Sequence, residues 1–335
     1  MPASEIKRKA LQLGYIGCGI IPSSVLGEYA AQLDERVKAF PESQRLYNRL
    51  YNAANPPEDA KSVIVCTRRY NGYKIPESLS SSIAKVYLFD SRISYSPEYR
   101  AKDEFEAYLK ILGIRALECP VPDRLAAAKA GLGKFGRNNF IYHPEHGSYI
   151  WIDTWVTDKE LDYDALADDI YVNACNDNCH KCIRACPTKA LCGSLSMDFG
   201  RCVTQLQCSG KDRPDDKTMA RMGQWLYGCD ACQDACPLNK YKFTDTAEFP
   251  LLSEIGEYLK LETILEMDED TYLNIIYPRF WYMGKEGLWL WKCNALRSMV
   301  NSGETGYHGL IKKYCDHEDK RVSETAQWGC GKLGI

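Results

Sequence analysis

The chain has 335 residues, enough for two or three domains, and a hydrophobic content of 45%, ordinary for a globular protein with a sizeable core. Forty-two basic against forty-five acidic residues leave a formal charge of −3, so nothing global advertises a polyanion partner, and no run of about 18 apolar residues offers a membrane span. The N-terminus carries neither a secretory apolar region nor a twin-arginine signal; the sixteen cysteines are therefore expected in the cytoplasm, where reduced thiols serve metals more than disulfides.

Residues 4–13 are predicted as a short helix closed by Gly14, and residues 15–21 as a small glycine-interrupted strand. Ser24 to Tyr51 carry two helical stretches broken at Pro41. After Pro56-Pro57, the β-branched run from Ala60 to Thr67 predicts a buried central strand. Tyr99, Phe105, Tyr108, Leu109 and Leu112 repeat on one face of a helix predicted over 97–112, with Pro97 suited to its start. A short strand follows at 115–119, then an alanine-rich helix at 122–130 that runs into Gly131-Leu132-Gly133. The aromatic and β-branched segments 139–142 and 149–157 flank a Pro/Gly turn and predict a hairpin. Strands alternating with helices over 1–158 indicate an α/β layer. From Phe249 the pattern is helical, with Trp289, Trp291, Ala295, Leu296 and Met299 in one amphipathic stretch and residues 322–333 in another.

The cysteines between these halves carry the chemistry. Cys175, Cys179, Cys182 and Cys186-Pro187 form one run; Cys202 stands alone; Cys229, Cys232 and Cys236-Pro237 form the second run. Zinc sites also use C-x2-C, but the C-x2-C-x3-C-Pro ending occurring twice is the spacing of two cubane clusters, in which the cysteine before proline reaches across to the other cluster. That rule groups Cys175, Cys179, Cys182 with Cys236, and Cys202, Cys229, Cys232 with Cys186. Asn176 stands where the first ligand is usually found, so Cys175 is expected to ligate through a slightly longer loop. Cys18, Cys66, Cys119, Cys192, Cys208, Cys293, Cys315 and Cys330 read as small hydrophobes without assigned chemistry. Three glycines in six residues, Gly131, Gly133 and Gly136, permit a backbone to approach a bulky ligand closely.

Lys61-Ser-Val-Ile-Val, Ala130-Gly-Leu-Gly-Lys-Phe-Gly-Arg-Asn, Gly147-Ser-Tyr, Arg201-Cys202 and the run from Tyr227 to Asn239 together resemble the epoxyqueuosine reductase family over roughly residues 5–245. Those enzymes, and the related reductive dehalogenases, bind cobalamin in an α/β domain beside a two-cluster ferredoxin domain. The resemblance implies an α+β protein: an α/β cobalamin and substrate domain with a nitroreductase-like core at 1–165, a two-cluster 4Fe–4S ferredoxin-like domain at 166–245 and a short helical C-terminal segment at 246–335. It implies a base-off cobalamin over the glycine loop, with Gly131, Gly133, Lys134, Gly136, Arg137, Asn138 and Ser148 as binding residues, reduced to Co(I) by electrons relayed through two 4Fe–4S clusters. The expected function is a cobalamin-dependent iron–sulfur reductase of an organic substrate, fed by a low-potential ferredoxin or flavodoxin type donor.

Departures from the family pattern bear on the proton donor and the substrate. The position of the family's acid falls on Leu117, so Glu118, one residue on, and Tyr149 stand as candidate donors, while Asp123 at a helix start reads as a cap. The Trp usual after Ala-Gly-Leu-Gly is Lys134 here. Little more than one helical repeat follows Pro278, and with the acidic balance this disfavours tRNA relative to a small organic substrate. A reductive dehalogenase-like enzyme is the rival reading among enzymes; outside them the rival is a ferredoxin-type electron carrier or an activator of another corrinoid protein without a substrate of its own.

Overall fold

The computed structural model describes residues 3–172, 175, 178–208, 212–244 and 246–335; Asn176 lies outside them. Helix α1 (Ala3–Gln12) leads into strand β1 (Gly17–Pro22), and helix α2 (Glu28–Ala39) follows. Strand β2 (Ser62–Arg69) is buried over all but its last residue, as its β-branched composition predicts. Helix α3 (Pro97–Ile111) starts with the Ser96 side chain accepting the Tyr99 amide and Pro97 in its first turn. Strand β3 (Ala116–Leu117) and helix α4 (Asp123–Lys129) precede a two-stranded ribbon of β4 (Lys134–Phe135) and β5 (Ile141–Tyr142), and strand β6 (Ile150–Thr157) completes the sheet.

The main sheet runs β1-β2-β6-β3 and every pairing in it is antiparallel. Side chains alternate between two cores, the period-2 pattern of a strand covered on both faces. Ile20, Ile64, Cys66 and Trp155 meet Ile6 of α1 and Phe105 and Leu109 of α3 on one side; Ile21, Val63, Val65 and Val156 meet Ala126 and Ala127 of α4 on the other. The alanines let α4 lie close to the sheet. The expected hairpin between 139–142 and 149–157 does not form. Instead β5 pairs with β4, with Lys134 opposite Tyr142, and the turn between β5 and β6 retains only a His143–Gly147 bridge. Strand β2 offers β6 eight paired residues, from Ser62↔Thr157 to Arg69↔Ile150, where the four residues 139–142 offer far less.

The largest core joins Tyr70, Leu79, Ile83, Leu88 and Phe89 to the C-terminal helices α5 (Leu288–Ser302), α6 (His308–Lys313) and α7 (Lys320–Leu333). Trp291 is fully buried there, stacked on Phe280. Helix α5 also buries a polar row. Asn294 donates to the Leu226 carbonyl (3.1 Å), Arg297 to Gly223 (2.8 Å) and Trp225, Ser298 to Gln224 (3.1 Å), and Asn301 to Met219 (2.9 Å) and Gly223 (3.0 Å). Spaced i, i+3, i+4, i+7, these residues share one face and satisfy the carbonyls of the irregular segment just before Cys229. Among the described residues no helix is long and apolar enough to cross a membrane.

Burial pulls the Arg297 guanidinium down to about 10, which still leaves it charged at neutral pH, and its donors are taken up by carbonyls. Arg297→Ala takes one of two donors from each of the Gly223 and Trp225 carbonyls, which keep Asn301 and Gln207, and empties the buried space of the side chain; it is expected to cost roughly 2–4 kcal/mol, seen as a Tm several degrees lower in anaerobic thermal unfolding. An unchanged Tm would show that water replaces the guanidinium there.

Candidate functional site

The eight paired-run cysteines sort into two sets by proximity. Cys182 and Cys236 each feel the charges of Cys175 and Cys179, and Cys182 feels Cys236 as well. Cys232 feels Cys229, Cys202 and Cys186, and Cys229 feels Cys202 and Cys186. The cysteine before each proline therefore lies with the other run, the crossed arrangement expected from the spacing. Backbone amides converge on the sulfurs: Ala190 on Cys186 at 3.2 Å, Thr204 and Gln205 at the start of the helix Val203–Cys208 on Cys202, and Ala231 on Cys229. The Tyr142 hydroxyl hydrogen-bonds Cys236. Burial is the leading cause that pushes the Cys182, Cys202 and Cys236 thiols up and raises Cys229 to about 12. These are enclosed thiol cages whose amide donors suit a bound anion-rich group.

One cage forms a wall of the main cleft. A cavity of about 620 Å³ is bounded by Cys186, Cys202, Cys229 and Cys232 on one side and, on the other, by Arg124 of α4 and by Ile150 and Ile152 of β6. None of Cys175, Cys179, Cys182 and Cys236 is among the lining residues. Tyr29, Tyr70 and Tyr87 also line the cavity, and Arg92 and Tyr282 reach it from the segment after β2 and from the C-terminal part. Arg92 is held by both oxygens of Asp90 (2.9 and 2.7 Å), donates to the Tyr282 hydroxyl (2.7 Å) and lies over the rings of Trp281 and Tyr282 at 4.9 and 5.2 Å. Asp123 and Arg124 open α4 with exposed side chains; Arg124 lines the cavity, and Asp123, its neighbour in the chain, is not among the lining residues. The protein packed around them raises the Asp123 carboxyl to about 6, against the hydrogen bond donated by Thr154 at 2.7 Å, and lowers the Arg124 guanidinium. Arg124 also donates to the Asn139 carbonyl at 3.1 Å.

A buried polar seam joins the cleft's two halves. Ser148 donates from its hydroxyl to Gln233 (2.8 Å) and from its amide to the Asn239 side-chain oxygen (2.9 Å), while the Asn239 amide donates back to the Ser148 hydroxyl (2.8 Å). Gln233 donates to Asp230 (2.9 Å), which accepts from the Lys85 backbone amide (2.7 Å) and ammonium (3.3 Å); the ammonium also reaches Asp234 at 2.6 Å. Arg137 donates to the Cys175 carbonyl (3.0 Å) and Asn138 to that of Cys232 (3.3 Å). Apart from the Gln233–Asp230 bond, which lies within the cysteine segment, every link spans from residues before 150 to that segment.

Of the residues expected to bind a cofactor, Asn138 and Ser148 line the cavity. Gly131, Gly133, Lys134, Gly136 and Arg137 do not. Gly131 turns the chain after α4 with φ +72°, Gly133 and Gly136 lie tight against Ile141 and Tyr142, and Lys134 pairs with Asp169 at 2.5 Å. Glu118 is exposed outside the cavity wall, and Tyr149 is buried behind it, hydrogen-bonded to Asp234. His143 and His146 stack on each other in the turn before β6. Arg92, Arg124 and Tyr282 were missed by sequence reasoning. Only the Asp123-Arg124 pair carried a signal, since Arg92 and Tyr282 reach the cavity from segments with no motif.

Gly147 allows the seam to close. It adopts φ +60°, and a Cβ there would overlap the Asn239 side-chain oxygen. Gly147→Ala is expected to part Ser148 from Asn239 and lower the iron retained after anaerobic reconstitution and desalting; full retention would show that the cysteine segment docks without this contact.

A family model for a 4Fe–4S double cluster binding domain matches residues 174–239, so the cages belong to an iron–sulfur domain. Epoxyqueuosine reductase of Cyclobacterium marinum is 29% identical over 252 residues, 70% of this chain and 78% of that protein. That of Cellulophaga algicola is 30% identical over 245 residues, again 70% and 78%, and that of Bacillus subtilis is 38% identical over 227 residues, 63% and 53%. Solved structures agree in fold: the Bacillus subtilis enzyme superposes with a TM-score of 0.75 at 22% identity, covering 99% of this chain and 90% of its own, and the Streptococcus thermophilus enzyme with 0.71 at 20%, covering 98% and 90%. The crossed thiol cages, the cleft that one of them walls and a likeness that spans most of these relatives lead to one conclusion: the chain belongs to the epoxyqueuosine reductase family and is an iron–sulfur oxidoreductase.

Proposed function

We propose that the protein is a cobalamin-dependent reductase that removes the epoxide oxygen of epoxyqueuosine in tRNA. In this reading Cys175, Cys179, Cys182 and Cys236 hold an outer 4Fe–4S cluster, and Cys186, Cys202, Cys229 and Cys232 hold an inner one. The observation that carries it is the cavity whose wall contains the second cage and, opposite, Arg124 and the Ile150–Ile152 face of β6. Its residues fit a large amide-bearing ligand: Asn139, nine-tenths buried on the wall, has a side-chain NH2 without a partner, while its oxygen accepts from Arg36 at 3.1 Å. Bound there, the corrinoid would supply the strongly reducing cobalt centre.

The chain's own groups do the remaining work. Ile150, Ile152 and Val86 give the cavity a dry lining, and Arg124 places one positive charge on it. The amides on the Cys186, Cys202 and Cys229 sulfurs tune the inner cluster's potential. Asp123 holds a proton at its carboxyl oxygen. Raised to about 6, it keeps its proton nearer neutral pH than an ordinary carboxyl does, and it adjoins Arg124 of the cavity lining, so it is the proposed donor in place of Glu118 and Tyr149. Arg92, flanked by Trp281 and Tyr282, offers a cation between ring faces suited to stacking a nucleobase. A family member has been solved with an epoxyqueuosine-modified stem loop of tyrosine tRNA, which supports tRNA over the small substrate expected from the acidic balance.

Anaerobic reconstitution tests the reading. About eight iron atoms and one corrinoid per chain are expected, together with loss of epoxyqueuosine from nucleoside digests of treated tRNA. Failure to bind corrinoid would overturn it. Cys186→Ser and Cys202→Ser are expected to disturb the same cluster in electron paramagnetic resonance spectra. Because the acid form of Asp123 declines as pH rises through about 6, the wild-type turnover should fall over that range. Asp123→Asn should slow turnover by roughly 10²-fold or more and remove that limb; an unchanged profile would clear Asp123 of the role.

A further inference from the structure

Cys315 and Cys330, which the sequence marks only as small hydrophobes, are brought together by the C-terminal helices. At Gly329, α7 lies so close to α5 and α6 that a Cβ would overlap Val300 and press on Ile311. One residue later Cys330 meets Cys315, in the turn after α6, at an Sγ–Sγ distance of 3.4 Å. A single face of α7 does the holding. Ser323 and Gln327, one helical turn apart, both donate to the Cys315 carbonyl, at 2.6 and 3.0 Å, and Cys330, three residues on, faces its sulfur. Both cysteines are half-buried and neither is in a disulfide. Cys18 and Cys66 also sit opposite each other, across β1 and β2, but Cys66 is fully buried and its thiol is pushed well up, first by that burial.

We propose that Cys315 and Cys330 are a reversible dithiol site, oxidised by low-molecular-weight disulfides, that staples α7 to the turn after α6. The Cys330 thiolate attacks one sulfur of the small disulfide and expels one thiolate. The Cys315 sulfur then attacks Cys330 in the mixed disulfide and expels the second. One S–S bond breaks in the reagent and one forms in the protein; two electrons pass to the reagent, and the two thiol protons leave with its thiolates. Burial, then the neighbouring Cys330, raises the Cys315 thiol to about 11, so Cys330 makes the first attack; once Cys330 is in the mixed disulfide its part of that rise is gone, and Cys315, already at 3.4 Å, makes the second. Since α7 packs on α5, the staple lies on the brace of the cysteine segment, away from the cleft.

The test uses the reconstituted holoenzyme, incubated anaerobically with glutathione disulfide, quenched with N-ethylmaleimide under denaturing conditions and mapped by peptide mass spectrometry. The expected result is a Cys315–Cys330 linked peptide, reversed by dithiothreitol, with a Tm several degrees higher than that of the reduced protein and no such rise in C315S or C330S. The exposed, solitary Cys192 reports whether the reagent acted. Recovery of Cys315 and Cys330 both as maleimide adducts while Cys192 carries glutathione would overturn the proposal. So would a stable glutathione adduct on either cysteine without ring closure, or a linked peptide with no change in Tm.

Discussion

Everything at the cleft depends on the buried polar seam between the layer that carries β6 and the segment that carries the cysteines. Buried hydroxyl, amide, carboxylate and ammonium groups are costly unless each finds its partner. Ser148, Gln233, Asn239, Asp230 and Lys85 satisfy one another in one relative placement of the two halves. An apolar seam would tolerate sliding, because dispersion has no direction. Here a small slip would strand several polar groups at once, so the seam fixes the distance from the inner thiol cage to β6.

The same logic operates behind the cysteines. Along 219–226 a short helix gives way to irregular chain, and α5 supplies donors to its carbonyls from Asn294, Arg297, Ser298 and Asn301. The cysteine segment is thus gripped from both sides by side-chain donors, in addition to whatever thiolate–metal bonds contribute. Trp291 of α5 adds apolar contact to the same grip, packing on Tyr227 as well as on Phe280.

What was legible in the sequence were features with local spacing. The buried run of β2, the α3 repeat and the crossed cysteine groups all follow from periods or ligand intervals a few residues long. The false hairpin at 139–157 arose because turn chemistry was read locally, while β6 found a longer partner in β2. Arg92, Tyr282 and the polar row of α5 were opaque for a related reason: each acts on residues tens of positions away, where a polar residue in a helix looks like a solvated one. The glycine loop was legible as tight packing, but which object it packs against is a tertiary fact; Gly133 and Gly136 approach Ile141 and Tyr142.

Because the cavity takes one wall from the cysteine segment and the other from the sheet, it is not a property of either alone. Its width is set where Cys186, Cys202, Cys229 and Cys232 stand across from Arg124 and the Ile150–Ile152 stretch, with the polar seam holding the two apart. Asn239 and Lys85 line no part of the cavity, yet both belong to that seam. A substitution at either reaches the cavity by shifting one wall against the other, so residues outside the lining share in setting what the cleft can hold.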